Sequence, residues 1–473
     1  MSVTGDLVDI LVNTRFEDIP GEALEIARQV TLDGLGVMIA AAREPLGLGQ
    51  KVIAYTRALG GREEASVIAA GFKTSALNAA YANGTLGHAL DFDNTFPPLN
   101  HPTSPTLPAI MALSERQGLS GRDALTAIVL AFEVQGRMRR ASSRVAAGTL
   151  FHKPGVSGLI GAAAAAGKLL GLAPDEYRMA FGIAGSRAGS MAANTGTMTK
   201  SSHSGHAARM GVEVAMLAAL SWTANDDIFG AGGFFDLFYG RENCDHELFL
   251  KDFGRPYRMV DPGVGFKKHP CNYFTHRPID AAIALATAHD LEPDDIEDVV
   301  VDFPPFDYVD RACPETGLDG KFSVQYTTAL ALLDRRIRVE SFSDQRRFAP
   351  DVEALLPKVR LNKLATIPMD FDDTYAIGRV RMRDGRRLEE RCDKPRGLWG
   401  VPLTRDERLA KFYDCTEPAL GKPDIERLVE LIEGMDRLDT VAPIMEIVTR
   451  AKAEETSSPT ENREQKTGQR KGS

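Results

Sequence analysis

The chain has 473 residues, 43% of them hydrophobic and 26% charged, which is enough for two or three domains with sizeable cores. A formal net charge of −9 argues against a general nucleic-acid binder, which needs a basic surface. No apolar run reaches the roughly 18 residues of a membrane span. The five widely spaced cysteines contain no CxxC pair, which argues against a disulfide framework or a zinc site. With an N-terminus that lacks a signal-peptide core, these features predict a cytoplasmic protein that binds neither nucleic acid nor membrane.

The first part of the chain predicts a large all-helical domain, because apolar residues recur there at three- and four-residue spacing. Residues 65–71 are the one short stretch that predicts a strand or a turn. A polar loop is expected at 197–206, before a further helix. Residues 1–43 are predicted to be helical, with a clear pattern that begins at Pro20. The other predicted helices are Leu48–Leu59, Ser75–His88, Pro105–Gln117, Gly121–Gln135, Gly155–Gly171, Pro174–Ala193 and His206–Ala219.

The pattern changes near residue 295, where Ile296–Phe303 predicts a strand. Tyr375–Met382 and Arg387–Cys392 predict a hairpin with Asp384-Gly385 in its turn. The fold class is therefore mainly α, with a large all-helical domain and a smaller α+β domain. The expected boundaries are 1–268 for the helical domain, 269–395 for the α+β domain, 396–450 for a return to the helical domain and 451–473 for a disordered tail.

The stretch from His88 to Pro105 concentrates titratable side chains between two helical patterns. Its polar members are His88, Asp91, Asp93, Thr95 and His101. Four prolines follow within the same stretch and disfavour regular structure there. A polar, proline-stiffened loop between buried helices is typical of a pocket wall, because a rigid scaffold can aim its side chains.

Four later segments also concentrate His and Lys. The four segments contain His152, Lys200, Lys267 and Lys321, respectively. Gathered in one cleft, His101 and His152 would move protons near neutral pH, and Lys200 and Lys267 would neutralise carboxylates. Asp91 would orient a histidine, and Thr95 would donate a hydrogen bond. This set suits proton transfer next to a carboxylate on a small polyacid. No Walker A loop, GxGxxG fingerprint or convincing GxSxG elbow is present.

Each of these residues also has a purely structural interpretation. A histidine at a helix start is often a cap, isolated lysines are mostly solvated, and Asp91 and Asp93 suit a turn. His88 and Asp91 have a spacing compatible with a metal, but the sequence shows no third and fourth ligand, so no metal is expected. His203 and His206 are interpreted as supporting or helix-start residues.

The sequence resembles the MmgE/PrpD family at these segments. The matching pieces are His88-Ala-Leu-Asp-Phe-Asp-Asn-Thr95 with His101-Pro102, Phe151-His152, Lys200-Ser-Ser-His-Ser-Gly-His-Ala-Ala208, Phe266-Lys-Lys-His-Pro270 and Lys321-Phe-Ser-Val-Gln-Tyr326. Gly400-Val-Pro-Leu-Thr404 and Lys411-Phe412 also match, so the resemblance runs in order from about residue 5 to 445. One departure is Asn94, where members often carry an aspartate.

The resemblance implies a helical domain with an α+β lid, in a homodimer. It also implies a cofactor-independent lyase acting on a small di- or tricarboxylate, as a 2-methylcitrate dehydratase or a cis-aconitate decarboxylase does. The implied catalytic set is Asp91, Thr95, His101, His152, Lys200 and Lys267. Two alternatives remain open at this point: a dicarboxylate epimerase similar to iminodisuccinate epimerase, and a non-catalytic binding protein that kept the fold.

Overall fold

A computed structural model describes residues 2–97, 99–143 and 150–452. The protein is 58% helical and 9% strand, and the four-stranded sheet lies in its C-terminal half, which confirms the expected mainly α class with a smaller α+β part. The predicted disordered tail covers 451–473, and residues 453–473 of it lie outside the described residues.

The described residues of the N-terminal part are mainly helical and include one two-stranded hairpin. Residues 65–71, expected as a strand or a turn, contain its first strand and the turn that follows. The helices are α1 (Val3–Asn13), α2 (Gly21–Ala41), α3 (Leu48–Leu59), α4 (Ala76–Ala89), α5 (Thr103–Gln117), α6 (Gly121–Ala141), α7 (Ser157–Leu170), α8 (Pro174–Arg187), α9 (Met198–Ala218), α10 (Phe234–Tyr239) and α11 (Glu247–Leu250), and the strands are β1 (Ala65–Val67) and β2 (Phe72–Thr74).

The C-terminal part contains the larger sheet and returns to helix at its end. Its helices are α12 (His276–Ala288), α13 (Gly317–Gly320), α14 (Val324–Asp334), α15 (Asp344–Arg347), α16 (Pro350–Leu355), α17 (Arg405–Thr416), α18 (Lys422–Glu433) and α19 (Ala442–Arg450), and its strands are β3 (Ile296–Phe303), β4 (Val359–Lys363), β5 (Ala376–Met382) and β6 (Arg387–Cys392). The strand order is β4-β3-β5-β6, with β3 and β4 parallel and the other pairs antiparallel. The predicted β5–β6 hairpin is confirmed, and Gly385 in its turn takes a φ of 90°.

The described residues form two large hydrophobic cores and a small third cluster of Tyr273, Leu398 and Trp399. The larger core holds the apolar residues of the helices up to Phe266, together with those of α17, α18 and α19. The smaller core lies between the sheet and the helices α12 and α14, within residues 271–382. We call this second unit the lid unit. The chain therefore leaves the helical layer, forms the lid unit and returns, which places residues near 267, 321 and 411 around the same interface.

Close approach of α4 and α9 sets the geometry of the helical layer. A Cβ on Gly84 would lie 2.8 Å from Gly205 Cα, and a Cβ on Gly205 would overlap the side chain of Thr85. Glycine at both positions lets the two helix backbones touch. This crossing brings the C-terminal end of α4, with His88, beside the first turns of α9, with Lys200.

Two predicted helix ends are wrong, since α6 continues from Gln135 to Ala141 and α8 ends at Arg187 instead of Ala193. A third wrong prediction lies at the start of α9. The segment expected as a polar loop at 197–206 is helical from Met198, so Lys200 and His203 lie on the first turns of α9. Their polar sequence hides the helix because its inward face lines a polar site instead of an apolar core. Ser201, His203 and Ser204 are buried there.

Within the described ranges, every helix is either too short or too polar to cross a bilayer. All five cysteines, Cys244, Cys271, Cys313, Cys392 and Cys415, are free thiols.

Gly205→Ala tests the helix crossing. The added methyl group would overlap α4, and we expect the free energy of unfolding to fall by about 1–3 kcal/mol because packed cores resist overpacking. Urea denaturation measures the change. Gly21→Ala is the matched control, since nothing lies within 4 Å of its added Cβ and alanine favours a helix. Equal stability of the two variants would contradict the close approach.

Candidate active site

The site is organised by a sharp turn at the end of α4. The helix ends at Ala89, and Asp91 then adopts a left-handed backbone conformation with a φ of 51°. This conformation costs a non-glycine residue about 1 kcal/mol, so the surrounding contacts must compensate for it. It places the carboxylate of Asp91 at the interface between the helical layer and the lid unit, where the residue is 4% exposed.

Three lysines stabilise this turn through consecutive carbonyl groups. Lys321 Nζ donates to Leu90 O at 3.4 Å, Lys267 Nζ to Asp91 O at 2.7 Å and Lys411 Nζ to Phe92 O at 2.9 Å. These carbonyls lie at the negative end of a helix dipole, where cations are stabilising. The lysines come from 176 to 319 residues away in sequence, so the turn forms only when the lid unit and the C-terminal helices are in place.

The Asp91 side chain is held by two further ammonium contacts. Its Oδ1 lies 3.0 Å from Lys200 Nζ and 3.3 Å from Lys267 Nζ. Burial opposes ionisation of Asp91, but the two lysines outweigh it and hold its pKa well below its usual range. Burial also opposes the charge on Lys200, yet Asp91 outweighs that effect and raises the pKa of Lys200. At neutral pH the site therefore contains a carboxylate and at least one firmly charged ammonium group.

Asp93 anchors two histidines on the other side of the turn. His88 Nδ1 donates to Asp93 Oδ1 at 3.0 Å, and His101 Nδ1 lies 3.2 Å from the same oxygen. Ser104 Oγ donates to Asp93 Oδ2 at 2.7 Å. His101 Nε2 in turn faces Asp91 Oδ1 at 3.9 Å. Asp93, interpreted from sequence as a supporting residue, thus fixes the ring of His101 beside Asp91.

The remaining imidazoles continue as a row. The ring of His88 lies 4.7 Å from that of His101 and 5.2 Å from that of His152, and His152 lies 5.2 Å from His203. Burial lowers the pKa of His88 to about 4 and holds the pKa of His152 well below its ordinary value. Both rings are neutral at neutral pH, so His152 can accept a proton or, in the other tautomer, donate one.

Thr95 stands apart from the other five predicted residues. Its backbone exchanges two hydrogen bonds with Gly265, at 2.9 and 2.7 Å. Its hydroxyl oxygen is buried and has no hydrogen-bond partner among the described residues. The structure therefore brings five of the six predicted residues together around Asp91 and His88, while Thr95 lies on the adjoining strand-like segment with an unused hydroxyl group.

Four of these groups have the geometry of a possible metal site. His88, Asp91, Asp93 and His101 each offer a ligand atom, all within 4.8 Å of one another, so the third and fourth ligands that the sequence did not reveal are present in space. The electrostatics oppose a cation, however. Lys200 and Lys267 already occupy Asp91 Oδ1, and their positive charges repel a divalent ion at this distance.

Sequence reasoning missed the structural importance of Lys321 and Lys411. Lys411 also pairs with Asp33 at 2.6 Å, and Asn94, at the departure from the family pattern, donates to the other oxygen of Asp33 at 3.5 Å. The neutral amide avoids a second carboxylate next to Asp33. Only the motif matches at Lys321-Phe322 and Lys411-Phe412 pointed to these lysines, because their partners are backbone carbonyls without a sequence signature.

Lid residues cover Lys200. Its Nζ lies 5.7 Å from the centre of the Phe322 ring, and Tyr308 contacts Phe322 edge to face at 5.8 Å between ring centres. Lys200 lowers the pKa of Tyr308 electrostatically, but burial is the larger effect and the pKa is raised, so the phenol is a neutral hydrogen-bond donor. Tyr308 is a further pocket residue that periodicity in the sequence could not indicate.

Two domain models of one family match this chain. The MmgE/PrpD N-terminal domain matches residues 5–247, and the MmgE/PrpD C-terminal domain matches residues 269–437. The chain therefore belongs to the MmgE/PrpD family.

Among its relatives, cis-aconitate decarboxylase of Mus musculus is 32% identical over 461 residues, covering 93% of this chain and 91% of the relative. Cis-aconitate decarboxylase of Homo sapiens is 33% identical over 371 residues, covering 76% of this chain and 77% of the relative. The 2-methylcitrate dehydratase of Cupriavidus necator is 24% identical over 447 residues, covering 84% of this chain and 87% of the relative.

The neutral, buried His88 predicts a pH-dependent stability. Unfolded histidine binds a proton near pH 6.5, whereas folded His88 stays neutral down to about pH 4, so stability falls as pH decreases between these values. We expect the difference in free energy of unfolding between wild type and His88→Gln to shrink by about 2 kcal/mol from pH 7 to pH 5. Urea denaturation at both pH values measures this.

The exposed His289 supplies the control for this measurement. His289→Gln should leave the pH dependence of the wild type unchanged. Parallel pH curves for wild type and His88→Gln would refute a depressed pKa at His88.

Proposed function

We propose that this protein is a lyase acting on a small di- or tricarboxylate by acid–base chemistry next to a carboxylate. The observation that carries the proposal is the cluster at Asp91, where lysine ammonium groups and the neutral imidazoles of His88 and His152 share one buried site. Ammonium groups bind carboxylates, and neutral imidazoles exchange protons without the cost of charging a buried ring. The catalytic set is Asp91, Thr95, His101, His152, Lys200 and Lys267.

Lys200 and Lys267 have different electrostatic roles. Lys200 hydrogen-bonds only to Asp91 Oδ1 among the described residues, so its remaining N–H groups are available to a substrate carboxylate. Lys267 donates to two carbonyls and contacts Asp91 Oδ1, and it adds positive potential from the floor of the site. Together they stabilise negative charge that develops on the substrate.

The histidines supply the proton transfers. His101 lies beside Asp91 and is oriented by Asp93, while His152 lies beyond His88. In a decarboxylation the C–C bond to the carboxylate breaks, its electron pair moves onto the carbon skeleton, and one imidazole donates the proton that replaces CO₂. In a dehydration one imidazole removes a C–H proton and the other protonates the departing hydroxyl. Thr95 supplies a hydroxyl for orienting the substrate.

Decarboxylation of cis-aconitate is the first candidate, because relatives of that name reach 32% and 33% identity. Dehydration of 2-methylcitrate is the second, supported by a relative at 24% identity. Epimerisation needs two proton-transfer groups on opposite faces of one carbon, and the two histidines flanking His88 keep this alternative open. A non-catalytic binding role would not require a row of neutral imidazoles that can transfer protons.

We also propose that the protein is a cytoplasmic homodimer. Leu150, Met191 and Leu237 are 90%, 66% and 76% exposed. Leu150 precedes Phe151, whose backbone bridges Met191 and whose ring packs on Phe238, the residue after Leu237. Such an apolar patch beside His152 is suited to cover by a second copy of the chain. Five free thiols fit a reducing compartment.

The reaction is tested by incubating purified protein with cis-aconitate, 2-methylcitrate, citrate and iminodisuccinate in D₂O, and following products by proton NMR. We expect turnover of at least one polyacid, with deuterium placed on carbon in a decarboxylation. Activity should survive EDTA, because the lysines at Asp91 disfavour a cation. Absence of turnover and of deuterium exchange with all four compounds would eliminate the proposal for these substrates. Inhibition by EDTA that one divalent ion reverses would establish a metal at His88 and Asp91.

Lys267→Ala tests whether the positive charge of Lys267 contributes to activity. It removes the partner of both the Asp91 carbonyl and the Asp91 carboxylate, so we expect kcat/KM to fall at least about 10²-fold. Lys267→Met, which keeps the side-chain volume, should show the same loss with an unchanged circular dichroism spectrum. The neighbouring exposed lysine gives a matched control, and Lys268→Ala should retain wild-type activity. Wild-type activity in Lys267→Met would exclude Lys267 from the site.

A further inference from the structure

The row of imidazoles ends in a contact that the proposed reaction has not yet used. His152 Nδ1 lies 3.1 Å from His203 Nδ1. Two ring nitrogens at this distance share one hydrogen bond, so one of them carries a proton and the other does not. The tautomer of His152 is therefore coupled to the tautomer of His203.

Both rings have a second nitrogen that is open. Among the described residues, the Nδ1–Nδ1 contact is the one side-chain hydrogen bond of these two rings, so neither Nε2 atom has a partner there. His203 is 9% exposed. Its position on α9, one turn after Lys200, places it at the edge of the site. The pair thus offers three successive positions for a proton between the interior of the site and its edge. They are His152 Nε2, the hydrogen bond between the two Nδ1 atoms, and His203 Nε2.

The surroundings keep both rings neutral. Burial lowers the pKa of His203, and Lys200 and His206 lower it further. For His152, burial acts together with His88 and Lys200. A relay through a charged imidazolium would be opposed here, whereas a relay between neutral tautomers adds no buried charge.

We propose that His203 is a positioning residue that sets the tautomer of His152 and carries the proton that His152 delivers. His152 Nε2–H gives its proton to the substrate carbon, His203 Nδ1–H passes its proton to His152 Nδ1, and solvent protonates His203 Nε2. One N–H bond breaks and one forms on each ring, and both rings end neutral in the opposite tautomer. The net transfer is one proton from solvent to carbon.

The relay rests on the proposed function and sharpens it. Decarboxylation consumes one proton per turnover, because H replaces CO₂ on the carbon, whereas dehydration returns the proton that it removes. Between turnovers the tautomers are restored when His203 Nε2 releases a proton to solvent, the shared proton returns from His152 Nδ1 to His203 Nδ1, and His152 Nε2 takes a proton from water in the site. This step moves no net proton, so the balance for each turnover is unchanged.

The kinetic test uses His203→Gln and His203→Ala. Glutamine fills the position but cannot switch tautomers, so we expect kcat to fall at least about 10-fold with KM within about twofold. Added imidazole should restore kcat in His203→Ala but not in His203→Gln, and the solvent deuterium isotope effect on kcat should rise in both variants. His206→Gln, one turn further along α9, is the control and should keep wild-type kcat. Unchanged kcat in both variants, or a loss without rescue and without a changed isotope effect, would overturn the relay.

A second measurement does not depend on turnover. In protein carrying ¹⁵N-labelled histidine, His152 should show a single tautomer at neutral pH, and His203→Ala should convert it to a mixture. If His152 keeps one tautomer without His203, the coupling is refuted even in an active enzyme. If the tautomers are coupled but no polyacid is turned over, the proposed function fails, and the proton relay fails with it because no carbon is protonated.

Discussion

The left-handed turn at Asp91 is the constraint on which the site depends. Its backbone is unfavourable by itself, and three lysines on consecutive carbonyls offset that cost. Because Lys321 belongs to the lid unit and Lys411 to the returning helices, the turn is a product of the whole fold. The same contacts hold the Asp91 carboxylate at the interface between the helical layer and the lid unit.

The charges around this turn explain how a charged lysine and neutral histidines can lie in the same buried site. Lys200 remains charged because Asp91 is adjacent, and Asp91 remains ionised because two ammonium groups contact it. The histidines His88 and His152 lack such compensation and are neutral. A site with fixed positive charge and uncharged proton carriers suits a polyanionic substrate whose carbon must gain or lose a proton.

Sequence reasoning succeeded where the physical signal is local and failed where it is not. Periodicity located α2, α3 and α4 and the β5–β6 hairpin to within about two residues. It failed at the start of α9, because Lys200 and His203 face a polar site and so break the apolar pattern that reveals a helix. The six candidate residues came from segments that stand out in composition and from a family resemblance, and five of them lie around Asp91 and His88.

The sequence by itself determined the helical class and the smaller α+β part, and it supplied the candidate imidazoles, ammonium groups, hydroxyl and carboxylate of the site. Only the tertiary structure decided which groups meet, because the hydrogen bonds of Lys267, Lys321 and Lys411 span 176 to 319 residues and end on carbonyls that every residue possesses. It also decided protonation, since burial and neighbouring charge set the pKa of His88 and Asp91, and neither quantity exists before the chain folds.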